Sequence, residues 1–177
     1  MLATATACYT LSQSINLPVM DVLPSRFDTT PAVVTWVVTA NLLTATVATP
    51  MVGRLGDAWG HRRLLCLSLA ALALGSLIAA FAPNIGVLMA ARVVQGSGGG
   101  VVPLAFAIVR DALPEDRASA GVGLVSASLA VGMALGMVLA GPALASMGYV
   151  ALFVLPSVAA ASAAVAVLKV VPNPSVT

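Results

Sequence analysis

Few residues in this 177-residue chain can hold or exchange a proton: eight Lys and Arg, six Asp and Glu, and one His. They gather in a few places. Residues 53–63 read Gly-Arg-Leu-Gly-Asp-Ala-Trp-Gly-His-Arg-Arg, with one acid (Asp57), three arginines (Arg54, Arg62, Arg63) and the sole histidine, His61. Gly53, Gly56 and Gly60 punctuate the cluster and predict two tight turns. The chemistry on offer is ion pairing at a hairpin. A second signal is Arg92, set in an apolar stretch and followed at i+3 by Gln95 on the same helical side, then by Gly96 and Gly98–Gly100. An arginine near mid-bilayer costs at least ~2.5–3.5 kcal/mol, so it must face a polar cavity or a partner, or else snorkel to a headgroup region. Asp21 is a third candidate, either a proton carrier facing a cavity or an outer-surface acid beside Arg26 and Asp28. Gln13 and Asn16, and further on Thr39, Asn41 and Thr44, are polar residues able to line a cavity.

Bond-making chemistry is disfavoured. No nucleophile–base pair, metal cluster or nucleotide loop is present, and the glycine run after Arg92 lacks the Gly-Lys-Ser/Thr of a phosphate loop, so no cofactor or metal is expected. Cys8 and Cys66 sit in apolar segments and read as small buried hydrophobes. A net charge of +2 gives no reason to expect nucleic acid.

The elements that must position these residues are membrane helices. The chain is 60% hydrophobic and only 8% charged, with a mean hydropathy of +1.05, too few charges to cover a globule in water. Six apolar stretches of about 18–25 residues match the ~20 needed to span a bilayer: 2–23, 31–52, 64–81, 85–109, 119–140 and 150–171. They lack the alternation of a barrel wall, so the expected class is all-α, with residues 172–177 beginning a linker or tail. Arg54, Arg62, Arg63, Arg110, Arg117 and Lys169 all fall on one side, against Arg26 on the other. The positive-inside bias therefore puts both termini in the cytoplasm. Trp36 and Tyr149, near span ends, read as interfacial anchors.

The hairpin resembles the signature of the major facilitator superfamily, G-x-L-[GA]-D-[RK]-x-G-[RK]-[RK]-[RK]. Gly53, Gly56, Asp57, Gly60, Arg62 and Arg63 match it, whereas Ala58 replaces a base and His61 stands where Arg or Lys is usual. The resemblance implies that Asp57 helps to lock the outward-facing state, with Arg110 and Asp111 as local partners for Asp57 and Arg54; losing the base at 58 should weaken that relay. Arg92, Gln95 and Gly96 are similar to the family's R-x-x-Q-G-x-G signature, which implies a part in proton coupling. The spacings of Gly123, Gly132 and Gly136 are expected to put small residues along one helical face; with Gly141-Pro142 they resemble the antiporter signature G-x8-G-x3-G-P-x2-G-G, read either as a hinge or as ordinary small-residue packing. Four residues rather than three precede Gly141, and Ala145-Ser146 replace the closing glycines.

The resemblance as a whole implies the amino-terminal six-helix bundle (1–171) of a multidrug-type proton antiporter in the cell membrane, built from two inverted three-helix repeats. Its partners would be lipid, a small-molecule substrate and the proton. Three readings stay open: half of a longer transporter, a half-size carrier completed by a second copy, or a truncated membrane protein that does not transport.

Overall fold

Helix boundaries follow from a handful of prolines, glycines and caps. The structure is a computed structural model that describes residues 1–170, the side chains of Asn16, Leu17 and Val170 excepted. The expected tail at 172–177 lies outside the described residues. Among these no strand occurs.

The first apolar stretch is not one straight helix. It is two, α1 (Leu2–Ser14) and α2 (Asn16–Phe27), meeting at Ile15. Pro18 has no N–H to bond the carbonyl four residues back and its ring crowds that carbonyl, which breaks the ladder there. The chain still turns in the right-handed sense through Ile15 (φ −67°, ψ −16°). α2 stops at Asp28, the single non-glycine residue with positive φ (47°) among the described residues. Asp tolerates the left-handed conformation better than most residues.

Pro31 opens α3 (Pro31–Trp59), where its fixed φ suits the first helical position. This helix has 29 residues, about 43 Å at 1.5 Å each, so it outruns the hydrocarbon. The two expected glycine turns are therefore one: Gly53 and Gly56 stay helical, and the chain reverses only at Gly60 (φ +92°), a conformation that favours glycine. α4 (His61–Ala80) begins at the next residue.

Asn84 caps α5 (Ile85–Gly96) by accepting the Val87 N–H at 2.9 Å. A 3-10 turn at Ser97–Gly100 joins it to α6 (Val101–Ala112), and the two form one rod. α7 (Glu115–Met147) carries Glu115 and Asp116 in its first turn, where acids favour the helix dipole, and runs unbroken through Pro142. α8 (Tyr149–Val170) completes the bundle.

Five of these elements are long and apolar enough to cross a membrane: α3, α4, the α5–α6 rod, α7 and α8. α1 and α2 are each too short alone. α1 packs along α7, α4 along both α8 and the α5–α6 rod, and α3 along that same rod. Lipid tails are as apolar as Leu, so these contacts rest on shape and on polar links between helices. Among the described residues two large apolar clusters, with two smaller ones beside them, fill the interior. One large cluster includes Val19, Val37, Leu88 and Phe153; the other includes Leu65, Leu69, Leu104 and Val167. Burial is uneven: half of the apolar window of α4 is buried, against 17% for α3 and for α7.

Candidate functional site

Between the two apolar clusters lies a polar knot. Arg92 is 1% exposed, so of the outcomes open from sequence, it faces a partner inside the bundle and does not snorkel. Its Nη1 donates to Gln95 Oε1 at 2.9 Å, the contact that the i+3 spacing on α5 implied. Gln95 Nε2 donates in turn to Ser12 Oγ on α1 (2.8 Å) and Ser76 Oγ on α4 (3.0 Å). The Arg92 guanidinium also stands 4.8 Å from the centre of the Phe153 ring on α8, a cation–π distance. One cluster thus ties four helices together.

Small residues make room for it. A Cβ on Gly75 would lie 2.5 Å from Gln95 N, and one on Gly96 would lie 2.5 Å from Asn41 O on α3. Both neighbours are backbone and cannot yield. Beside this knot runs a second polar line. Asn41, fully buried, donates from Nδ2 to Gln13 Oε1 (3.0 Å), and Gln13 Nε2 donates to Tyr9 Oη (2.9 Å). Of the other cavity candidates, Thr39 donates its hydroxyl to Thr35 O and Thr44 to Ala40 O, bonds within their own helix. The side chain of Asn16 lies outside the described residues.

Asp21 is exposed on α2. It lines an open cleft of about 490 Å³ with Ser14, Pro18, Met20 and Met137. That position fits an acid reachable from outside the bundle.

The glycines expected along one face of α7 divide. Gly132 stands nine positions after Gly123, two and a half turns, so they point to opposite sides; Gly136, four positions further, returns near the side of Gly132. Accordingly a Cβ on Gly136 would lie 2.7 Å from Leu11 O on α1, and Gly132 packs on Ala7 and Thr10, whereas Gly123 and Gly141 face open space. The stripe against α1 is Gly132 and Gly136 alone.

At the hairpin the expected pairing is rearranged. His61 Nε2 lies 3.1 Å from Asp57 Oδ1, and His61 Nδ1 lies 2.9 Å from Asp111 Oδ2. Among the described residues no ion pair involves Arg54 or Arg110, so the acids take the histidine in place of those arginines. Arg62 donates to the Leu168 carbonyl near the end of α8, a favourable place for a cation at a helix C-terminus. Arg63 is exposed.

Sequence reasoning missed Ser12, Ser76, Tyr9 and Phe153. Serines within apolar runs were the available signal for the first two; the Phe153 ring had none. Tyr149 is also not an interfacial anchor. It is 7% exposed, donates to Ala79 O at 3.0 Å and packs edge-on to Phe27, whereas Trp36 is 60% exposed. Cys8 is buried and Cys66 half-buried, both as free thiols.

Residues 2–177 match the family model described as the Major Facilitator Superfamily. The chain belongs to this superfamily. That family is one of membrane transporters and not of enzymes. A multidrug resistance protein B homolog from Mycobacterium tuberculosis is 38% identical over 146 residues, covering 78% of this chain and 26% of the relative. An MFS-type transporter from Aspergillus terreus is 33% identical over 141 residues, 79% of this chain and 26% of its own. The crystal structure of the human organic anion transporter MFSD10 (TETRAN) aligns with a TM-score of 0.76 at 19% identity, over 97% of this chain and 46% of that one, a likeness of fold. The chain thus spans about a quarter of the length of the curated relatives it matches.

Proposed function

We propose that the chain is the amino-terminal six-span bundle of a proton-coupled efflux antiporter for drugs or other small molecules, working by alternating access. The observation that carries the coupling reading is the dry Arg92–Gln95 knot. A cation buried within a membrane span marks a functional site by default, and here it meets Phe153 of α8 directly and Ser12 of α1 and Ser76 of α4 through Gln95. The similarity to a multidrug resistance protein supports export as the direction and drugs as the substrate class.

In this reading α1 and α2 cross the membrane together as the first of six spans. The helix pairing agrees with two three-span repeats. Exchanging the first triplet for the second turns the contact of spans one and five into that of four and two, and maps the contact of three and six onto itself. Both termini and the hairpin face the cytoplasm, following the basic residues.

The transport path would lie between this bundle and a second one. The thinly buried α3 and α7 offer the faces for that partner, either a carboxy-terminal half or a second copy. Asp21 on its open cleft is the carboxylate placed to load and release a proton. Arg92 and Gln95 set the position of α1 against the rest, and Gln13, Asn16, Asn41 and Thr39 lie along the spans nearest the path. Gly132 and Gly136 give α1 and α7 a close contact on which to rock. The Asp57 cluster acts as a cytoplasmic gate.

The test is the size of the native product in source-cell membranes, probed with an antibody to the 53–63 hairpin. A band at about two to three times the 17.6 kDa of this chain supports the reading. A band at 17.6 kDa that shows no dimer on crosslinking leaves a fragment that does not transport.

A further inference from the structure

The hairpin histidine is held in a way that favours a charge. An ionised carboxylate only accepts hydrogen bonds, and a neutral imidazole has a single N–H. Yet the two ring nitrogens of His61 stand 3.1 and 2.9 Å from two different carboxylates, Asp57 and Asp111. Those carboxylates are 76% and 64% exposed, and carboxylates in water are ionised at neutral pH. A neutral ring would satisfy one acid and turn its lone pair toward the other. Nε2 is hydrogen-bonded to Asp57 and Nδ1 lies at ion-pair distance from Asp111, so an imidazolium favours both contacts at once and a neutral ring only one.

Geometry also fixes what the two contacts join. Asp57 is on the last turn of α3, four residues before His61 across the Gly60 reversal. Asp111 is at the end of α6, fifty positions further along the chain. The ring lies against Gly56 of α3: a Cβ there would come within 2.8 Å of both His61 Cδ2 and Leu104 Cδ2 of α6. His61 and Leu104 thus share the space that Gly56 leaves open, and the histidine side chain is only 22% exposed. The charges around it are few. Asp57 and Asp111 favour the cation. The positive end of α4, Arg62 and Arg63 beside it on α4, Arg54 one turn earlier on α3 and Arg110 next to Asp111 oppose it.

We infer that His61 is a pH-operated latch that clamps the α3–α4 hairpin to the end of α6 when the ring is protonated and releases it when the ring is neutral. Histidine changes charge between about pH 5 and 8. The usual Arg or Lys at this position is a permanent cation and would keep the clamp closed throughout. The latch itself stands on the local geometry; its effect on transport rests on the transporter reading above.

Spin labels on cysteines at the exposed Ala58 and Ala112, in a background lacking Cys8 and Cys66, measure the clamp in nanodiscs by continuous-wave EPR. The expected result is dipolar broadening at pH 5.5 that is lost at pH 8.0. His61→Arg should be broadened at both values and His61→Gln at neither. Spectra of the native-histidine protein that do not change with pH, or a pH response that persists in His61→Arg, would overturn the latch. Far-UV circular dichroism of each variant separates release from unfolding, since release leaves helix content unchanged. The spectra need no transport, so a chain that transports nothing yet shows the pH response refutes the transporter reading and keeps the latch.

Discussion

Two clusters in this molecule use similar parts in opposite surroundings. Around Arg92 the groups described are neutral (Gln95, Ser12, Ser76, the Phe153 ring), the site is shut off from the outside with Arg92 1% exposed, and backbone presses in from α3 and α4. Around His61 the partners are charged and mostly exposed. In the dry cluster a lost hydrogen bond cannot be replaced by water, so each polar atom there bears on stability. In the wet cluster water and salt screen every pair, so the same contacts do little for stability and are free to respond to pH. The difference separates a structural coupling site from a switch, and substitutions can be chosen to break or sharpen it.

The largest expected effect is steric and belongs to the dry side. Gly96→Leu drives a side chain into the Asn41 carbonyl, and overpacking of this kind costs about 1–3 kcal/mol or more. Thermal unfolding in detergent should show a large fall in midpoint or no folded bundle. The matching change at the hairpin, Gly53→Ala, meets nothing within 4 Å and should leave the midpoint unchanged or raise it slightly. Equal losses at the two glycines would erase the contrast.

Next comes Gln95→Leu. It removes one acceptor of Arg92 and the donor to both serines, a loss of about 1–3 kcal/mol by the cost of buried unsatisfied groups, read in the same assay. Tyr149→Phe deletes one buried bond, to Ala79 O, and should cost about 1 kcal/mol. Smallest is His61→Gln, whose effect on the unfolding midpoint should stay within about 1 kcal/mol because its acidic partners are exposed. A destabilisation by His61→Gln as large as that by Gln95→Leu would show the hairpin to be a structural cluster like the other.

How much of this was legible in the sequence depended on range. Apolar length alone marked where helices run, because a membrane span has a fixed length, and the i+3 spacing of Arg92 and Gln95 foretold their contact. The break at Ile15 was harder to read, since Pro18 is tolerated in many bilayer helices and only packing decides whether one bends. Gly53 and Gly56 looked like turns because glycine permits them, yet α3 continues through both and uses Gly56 to admit the His61 ring. The face of α7 was misjudged by counting residues without their angle, since Gly123 lies half a turn from Gly132. Long-range choices had no local trace at all: that Asp111 would take His61 and leave Arg54, or that Phe153 would lie against Arg92.

The most direct test of the account is proton-driven efflux by the native-length protein in everted membrane vesicles, with ethidium as the probe. An imposed pH gradient should drive ethidium accumulation. Arg92→Ala should abolish that accumulation while the protein still inserts at the wild-type level. Accumulation by Arg92→Ala equal to wild type would contradict the assignment of coupling to the buried Arg92–Gln95 knot.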